Sequence, residues 1–209
     1  MRVMDPIPAD RRLTRAALLL PSLTLYGVSV ALMLRAELGQ MPWGVLDQGL
    51  AEVLGIEVGT ASILVGAGVL LLWLPLRCRP GLGTLCNVVL VGLSINATLA
   101  LLPAPEALGA RVPLLLVGVL LNAVATGAYI GAGLGAGPRD GLTTGIAARG
   151  HSVRVVRTTI ELLVLGAGWL LGGTVGVGTL LYALAIGPLV HRTLPAFQLR
   201  ARRRSVAVG

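Results

Sequence analysis

The chain reads as an all-α integral membrane protein. It is predicted to have about six transmembrane helices in two inverted-topology three-helix repeats, each carrying a short proline-led interfacial or re-entrant helix. Composition, an internal duplication and the spacing of apolar stretches predict this class. Of 209 residues, 55% are hydrophobic and only 12% are charged, and the mean hydropathy is +0.86, whereas a soluble domain carries about a quarter charged residues. Aromatics make up 3% and glycine accounts for 29 residues, so helices are expected to pack through small side chains and close backbone approach. The net charge of +8 comes entirely from arginine. These arginines lie at the ends of apolar stretches rather than over a soluble face, which argues against nucleic acid as a partner and for the lipid bilayer.

The duplication is visible by eye. Leu38-Gly39-Gln40-Met41-Pro42 recurs as Leu134-Gly135-Ala136-Gly137-Pro138, an offset of 96 residues that also relates Leu46 to Leu142, Gly49 to Gly145 and Trp73 to Trp169. One residue is then lost, and Gly81-Leu82-Gly83-Thr84 falls on Gly176-Val177-Gly178-Thr179 at an offset of 95. The repeat runs from about 27 to 98 and again from 123 to 193. In so apolar a chain, such self-similarity points to the fused repeats of membrane transporters.

The elements follow in order. A span needs about 20 predominantly apolar residues, and six segments meet or approach that: 13–36, 58–76, 82–102, 111–134, 155–173 and 176–194. The first follows Arg11, Arg12 and Arg15 but is too long for a signal peptide and overlaps the repeat, so it is expected to be retained. Between the first and second spans of each repeat lies a segment too short to cross, Pro42 to Leu54 and Pro138 to Ala148, with proline set for a first helical turn. Backbone of that kind enters a bilayer only where protein or a water-filled cavity satisfies it. The Gly-x-Gly-Thr turns join the second and third spans, glycine allowing the reversal and threonine capping the next helix. They lack the lysine and strand context of a phosphate loop. The expected division is an N-terminal tail 1–12, repeats 13–110 and 111–195, and a basic tail 196–209.

With the N-terminus inside, fifteen of the 17 arginines face the cytoplasm, and only Arg35 and Arg111 lie outside with Glu37, Asp47, Glu52, Glu57 and Glu106. Both termini are therefore expected in the cytoplasm. Three spans per repeat is an odd number, so the second copy enters the membrane upside down.

Candidate functional residues are the polar and proline-led ones at membrane depth. Pro42, Trp43, Asp47, Asn87, Asn96, Asn122, Tyr129, Pro138, Arg139, Asp140, Thr143 and Glu161 are read as substrate-contacting or gating. Asp140 has two readings, an N-cap of its short helix or a ligand contact. The Arg139-Asp140 pair has two further readings, a gate with Arg154, Arg157 or Glu161, or solvated ion pairs. Glu161 is the one carboxylate well inside a span, and its other reading is an ion pair with Arg157 one turn away. Ala123, Gly127, Gly131 and Gly135 are spaced by four and predict a helix–helix seam within the molecule in preference to a dimer interface. Arg35 interrupts the same stripe in the first repeat and is expected to snorkel or to pair with Glu37 or Asp47. His151 and His191 form no cluster with Cys78 or Cys86, so no metal and no cofactor is expected.

Leu38-Gly39, Pro42-Trp43, Gln48-Gly49-Leu50, Tyr129 to Gly135, Gly137 to Leu142 and Gly173 to Thr179 together resemble the YczE-type bacterial integral membrane proteins. The likeness extends over all but the two tails. It implies a bacterial cytoplasmic-membrane location and brings no chemistry with it. It also implies an aspartate just after the Pro-Trp pair of the first repeat, where this chain has Gly44.

The leading functional expectation is a small secondary transporter or permease, its repeats rocking about a central site. Were the substrate anionic, the helix starts at Pro42 and Pro138 would attract it and Arg139 would assist. The alternative is an accessory or scaffold protein that binds another membrane protein through the glycine seam and the basic tail. An enzyme is not expected, because the chain lacks HExxH, a GxSxG elbow and any Ser/His or Cys/His set at one depth.

Overall fold

The computed structural model describes residues 11–199, and the expectations for the N-terminal tail before Arg11 and for Arg200 to Arg204 lie outside them. Among the described residues the fold is all helical: α1 (Arg12–Ala36), α2 (Pro42–Leu54), α3 (Val58–Leu76), α4 (Leu82–Leu101), α5 (Leu108–Gly131), α6 (Pro138–Ala147), α7 (Val153–Leu170) and α8 (Val177–Phe197). Five of these, α1, α3, α4, α5 and α8, are long and apolar enough to cross a membrane. The sixth expected span forms α7, but its 18 residues carry Arg154, Arg157 and Glu161, and it lacks the composition of the other five. Large apolar side chains cover the outside, Leu101 at 85% and Leu170 at 84% exposure among them. Water would not tolerate such a surface over a whole molecule, and lipid does.

α1 and α5 pack against each other along the centre, α4 flanks α1, and α8 flanks α5. Their contact holds the main core, including Leu19, Leu23, Met33, Val91, Ile95, Leu115 and Val119. The glycine seam is intramolecular, as expected: a Cβ on Gly127 would stand 2.6 Å from Thr193 Oγ1, and one on Gly131 would stand 2.5 Å from the Phe197 carbonyl oxygen, both on α8. Gly135 does not extend that seam. It lies beyond the end of α5 at φ 123°, a conformation only glycine adopts without strain, and abuts Gly81 and Thr84.

That contact belongs to a reciprocal pair. Gly83 donates its N–H to the Leu134 carbonyl at 2.8 Å, and Gly178 donates its N–H to the Leu38 carbonyl at 2.7 Å. The four residues are duplicates of one another, so the Leu-Gly turn of each repeat docks on the Gly-x-Gly-Thr turn of the other. Thr84 and Thr179 accept from the N–H groups of Gly81 (3.0 Å) and Gly176 (3.3 Å), satisfying donors the helix starts leave free. The short helices are exchanged in the same way, α2 resting mainly on α7 and α6 on α3.

The halves differ in how their second and third long helices pack. α3 packs tightly on α4 through Gly59, Gly66 and Gly92, whereas α7 and α8 barely touch. Val155 and Leu162 occupy the positions equivalent to Gly59 and Gly66, and both are left 62% exposed. Arg35 and Arg15 also find partners that the sequence does not announce. Arg35 donates to the Leu99 carbonyl instead of pairing with Glu37 or Asp47, and Glu37 binds Arg111 at 2.8 Å. Arg15 is buried at 3% exposure and donates to the Ala132 carbonyl at 2.7 Å at the end of α5.

Candidate functional site

The starts of α2 and α6 converge on one cavity of about 90 Å³. Proline opens both helices after an extended residue, Met41 at φ −57° and Gly137 at φ −60°, which turns each chain sharply into its first helical turn. Pro42, Trp43, Pro138, Arg139, Asp140 and Thr143 line the cavity from these two helices, and Tyr129, Asn87 and Glu161 line it from α5, α4 and α7. Nine of the sequence candidates thus share one space.

Three candidates do not line it. Asp47 stands behind Arg139 and accepts from its Nη2 at 2.7 Å, with side chains 3% and 21% exposed. This is the link between the two proline-led helices. Asn122 is fully buried, accepting from Tyr182 Oη at 3.0 Å and donating to Ser29 Oγ at 2.9 Å, so it ties α5 to α8 and α1 just beside the cavity. Asn96 lies elsewhere. Its side chain accepts from the Gly59 N–H at 2.7 Å and donates to Thr60 at 3.1 Å and to Glu57, closing the far end of α3 on α4.

The ionic arrangement corrects the proposed gate. Arg139 pairs with Asp47, and its guanidinium carbon stands 5.0 Å over the Trp43 ring, so a cation–π contact adds to the ion pair. Asp140 does not cap α6; Gly137 holds the cap position with no side-chain bond, and Asp140 accepts from Tyr129 Oη at 2.5 Å. Arg157 and Glu161 form the i, i+4 pair at 2.9 Å and remain 57% and 37% exposed where they reach the cavity wall. Trp73 fixes α6 from behind, donating its Nε1–H to the Pro138 carbonyl at 3.0 Å and lying over Gly141.

Sequence reasoning missed Tyr26, Met41, Ser62 and Tyr182 in the lining. The repeat pointed to one of them. Tyr182 is the duplicate of Asn87, and all three tyrosines of the chain converge here, Tyr26 and Tyr129 meeting edge to face at 6.2 Å. Among the described residues no group of three or more His, Cys, Asp or Glu side chains is placed to hold a metal ion.

This fold and site define a multi-pass, all-helical membrane protein with a polar, aromatic cavity between two duplicated short helices. The chain belongs to DUF6198, a family of unknown function whose profile matches residues 13–194. It is 43% identical over 176 residues to an uncharacterised protein of Haemophilus influenzae, covering 84% of this chain and 81% of that protein. It is 37% identical over 189 residues to the uncharacterised membrane protein YczE of Bacillus subtilis, covering 88% and 87%, in keeping with the resemblance read from its motifs. A third relative, the uncharacterised protein YyaS of Bacillus subtilis, is 27% identical over 175 residues. No solved structure matches.

Proposed function

We propose that the protein is a small secondary transporter, or permease, of the bacterial cytoplasmic membrane. In this reading α1, α3, α4, α5, α7 and α8 all cross, the termini are cytoplasmic, and the halves are inverted copies. The observation that carries it is the cavity where two proline-led helices from opposite repeats begin, walled by the duplicated pairs Pro42/Pro138, Trp43/Arg139 and Asn87/Tyr182. A binding site on the axis that relates two inverted repeats is what rocking-type transport requires, since each half then presents equivalent walls to opposite sides. The short helices fit a re-entrant placement because their starts meet inside protein, beside a polar space that solvates the free N–H groups. The glycine seam on which a scaffold would depend is occupied by α8, which favours the permease over the accessory protein.

The test begins with detergent-purified protein, whose thermal stability is screened against metabolites and ions with Asp140→Asn alongside. A ligand at 100 times its dissociation constant adds about 2.7 kcal/mol. A stabilising ligand that the variant no longer recognises, followed by its uptake into liposomes carrying the protein, supports the proposal. A folded sample that takes up none of its ligands refutes it.

A further inference from the structure

Resting on the transporter reading, we infer that the cavity takes a small organic cation that donates hydrogen bonds, an alkylammonium or guanidinium-type ion, with Asp140 as its counter-charge. The charges around the cavity carry the argument. Arg139 is already matched by Asp47 at 2.7 Å, and Arg157 by Glu161 at 2.9 Å. What is left is Asp140, whose carboxylate accepts, among the described residues, only from the neutral phenol of Tyr129. The helix starts at Pro42 and Pro138 contribute dipoles of about half a charge each, screened within a turn, against a full charge on Asp140.

The walls agree with the charge. The chain has only seven Trp, Tyr and Phe residues, and four of them, Tyr26, Trp43, Tyr129 and Tyr182, line this one cavity. Arg139 already uses the face of Trp43, which shows within the protein how a planar cation sits against these rings. The Asn87 side chain, on the cavity wall, makes no hydrogen bond among the described residues and offers its amide oxygen as a further acceptor. An anion would find the arginine of the short helix engaged and the Asp140 carboxylate facing it, while a cation with N–H groups finds that carboxylate, ring faces and the Asn87 amide oxygen. The volume of about 90 Å³ sets the size, room for roughly six to nine water-sized groups.

The test uses the full chain in detergent and measures binding calorimetrically for ethylammonium, guanidinium and tetramethylammonium chlorides, with sodium acetate and sodium phosphate as the opposite charge class. At least one cation is expected to bind, ethylammonium or guanidinium ahead of tetramethylammonium because it can donate. Asp140→Asn should weaken it at least about tenfold, the loss of a charged hydrogen bond, and Asp140→Glu should restore part of it. Tyr129→Phe reports on the cavity should Asp140→Asn fail to fold. Binding of acetate or phosphate alone, cation binding unchanged in both variants, or no cation binding to a folded wild-type sample would each overturn the inference. Flux in liposomes separates this from the transport reading: a cation bound but never moved keeps the site and removes transport, and uptake of an anion keeps transport and removes the cation site.

Discussion

The Arg139–Asp47 pair offers a sharp test of how the two halves are joined. Its members are unequal, since the Asp47 side chain is 3% exposed and that of Arg139 is 21% exposed beside the cavity and Trp43. Arg139→Gln strands a carboxylate in the interior, and breaking a buried pair in this way costs about 3–5 kcal/mol. Asp47→Asn leaves a guanidinium that keeps the face of Trp43 and reaches the cavity, so the loss is set by one charged hydrogen bond at about 1.5–3 kcal/mol. The double variant leaves no charge and two amides able to bond to one another, and should lose less than Arg139→Gln alone. Thermal unfolding in mild detergent reads the order. On the scale of a soluble domain of this size, about 2–4 °C per kcal/mol, Arg139→Gln falls by about 6–20 °C and the double variant recovers part of it. Losses that simply add across the cycle would show that the residues do not meet, and with that the docking of α2 against α6 would fall.

Three further outcomes follow from the packing. Gly141→Ala places a Cβ about 2.0 Å from Trp73 Cζ2, an overlap expected to cost about 1–3 kcal/mol and to change tryptophan fluorescence; an unaltered melt and spectrum would argue against that seat. Gly92→Ala and Gly187→Ala are duplicates with opposite expectations. The first puts a Cβ 2.4 Å from the Gly59 carbonyl and destabilises, while the second meets nothing within 4 Å and should gain about 0.5–1 kcal/mol; equal melting temperatures would mean that α7 and α8 close as α3 and α4 do. Asn122→Leu removes both bonds to Tyr182 and Ser29 from a fully buried position and should lower stability by about 1–3 kcal/mol; a rise in melting temperature would show that this network is dispensable.

Much of the candidate site was legible because its residues break a pattern. Prolines opening segments too short to span, and polar side chains inside apolar stretches, stand out against a background of Leu, Val, Ala and Gly, and nine such residues do share the cavity. Pairing was not legible. Arg139 and Asp47 are 92 residues apart, with nothing local to join them, whereas the Arg157–Glu161 pair lies within one helical turn and could be read directly. Asn96 looked like Asn87 in sequence, and only the crossing of α3 and α4 sends one to Gly59 and leaves the other at the cavity wall.

By itself the sequence determined the class of molecule, its helices and its duplication, because apolar length and repeat register are local properties that lipid and helix geometry convert directly into structure. Only the tertiary structure decided that the repeats exchange their short helices, that each Leu-Gly turn docks on the other half, and that α7 stands away from α8. Those outcomes depend on which small residues face one another across crossings between distant segments, and on where each buried charge meets its opposite. A one-dimensional pattern carries the inventory for such contacts and not their partners.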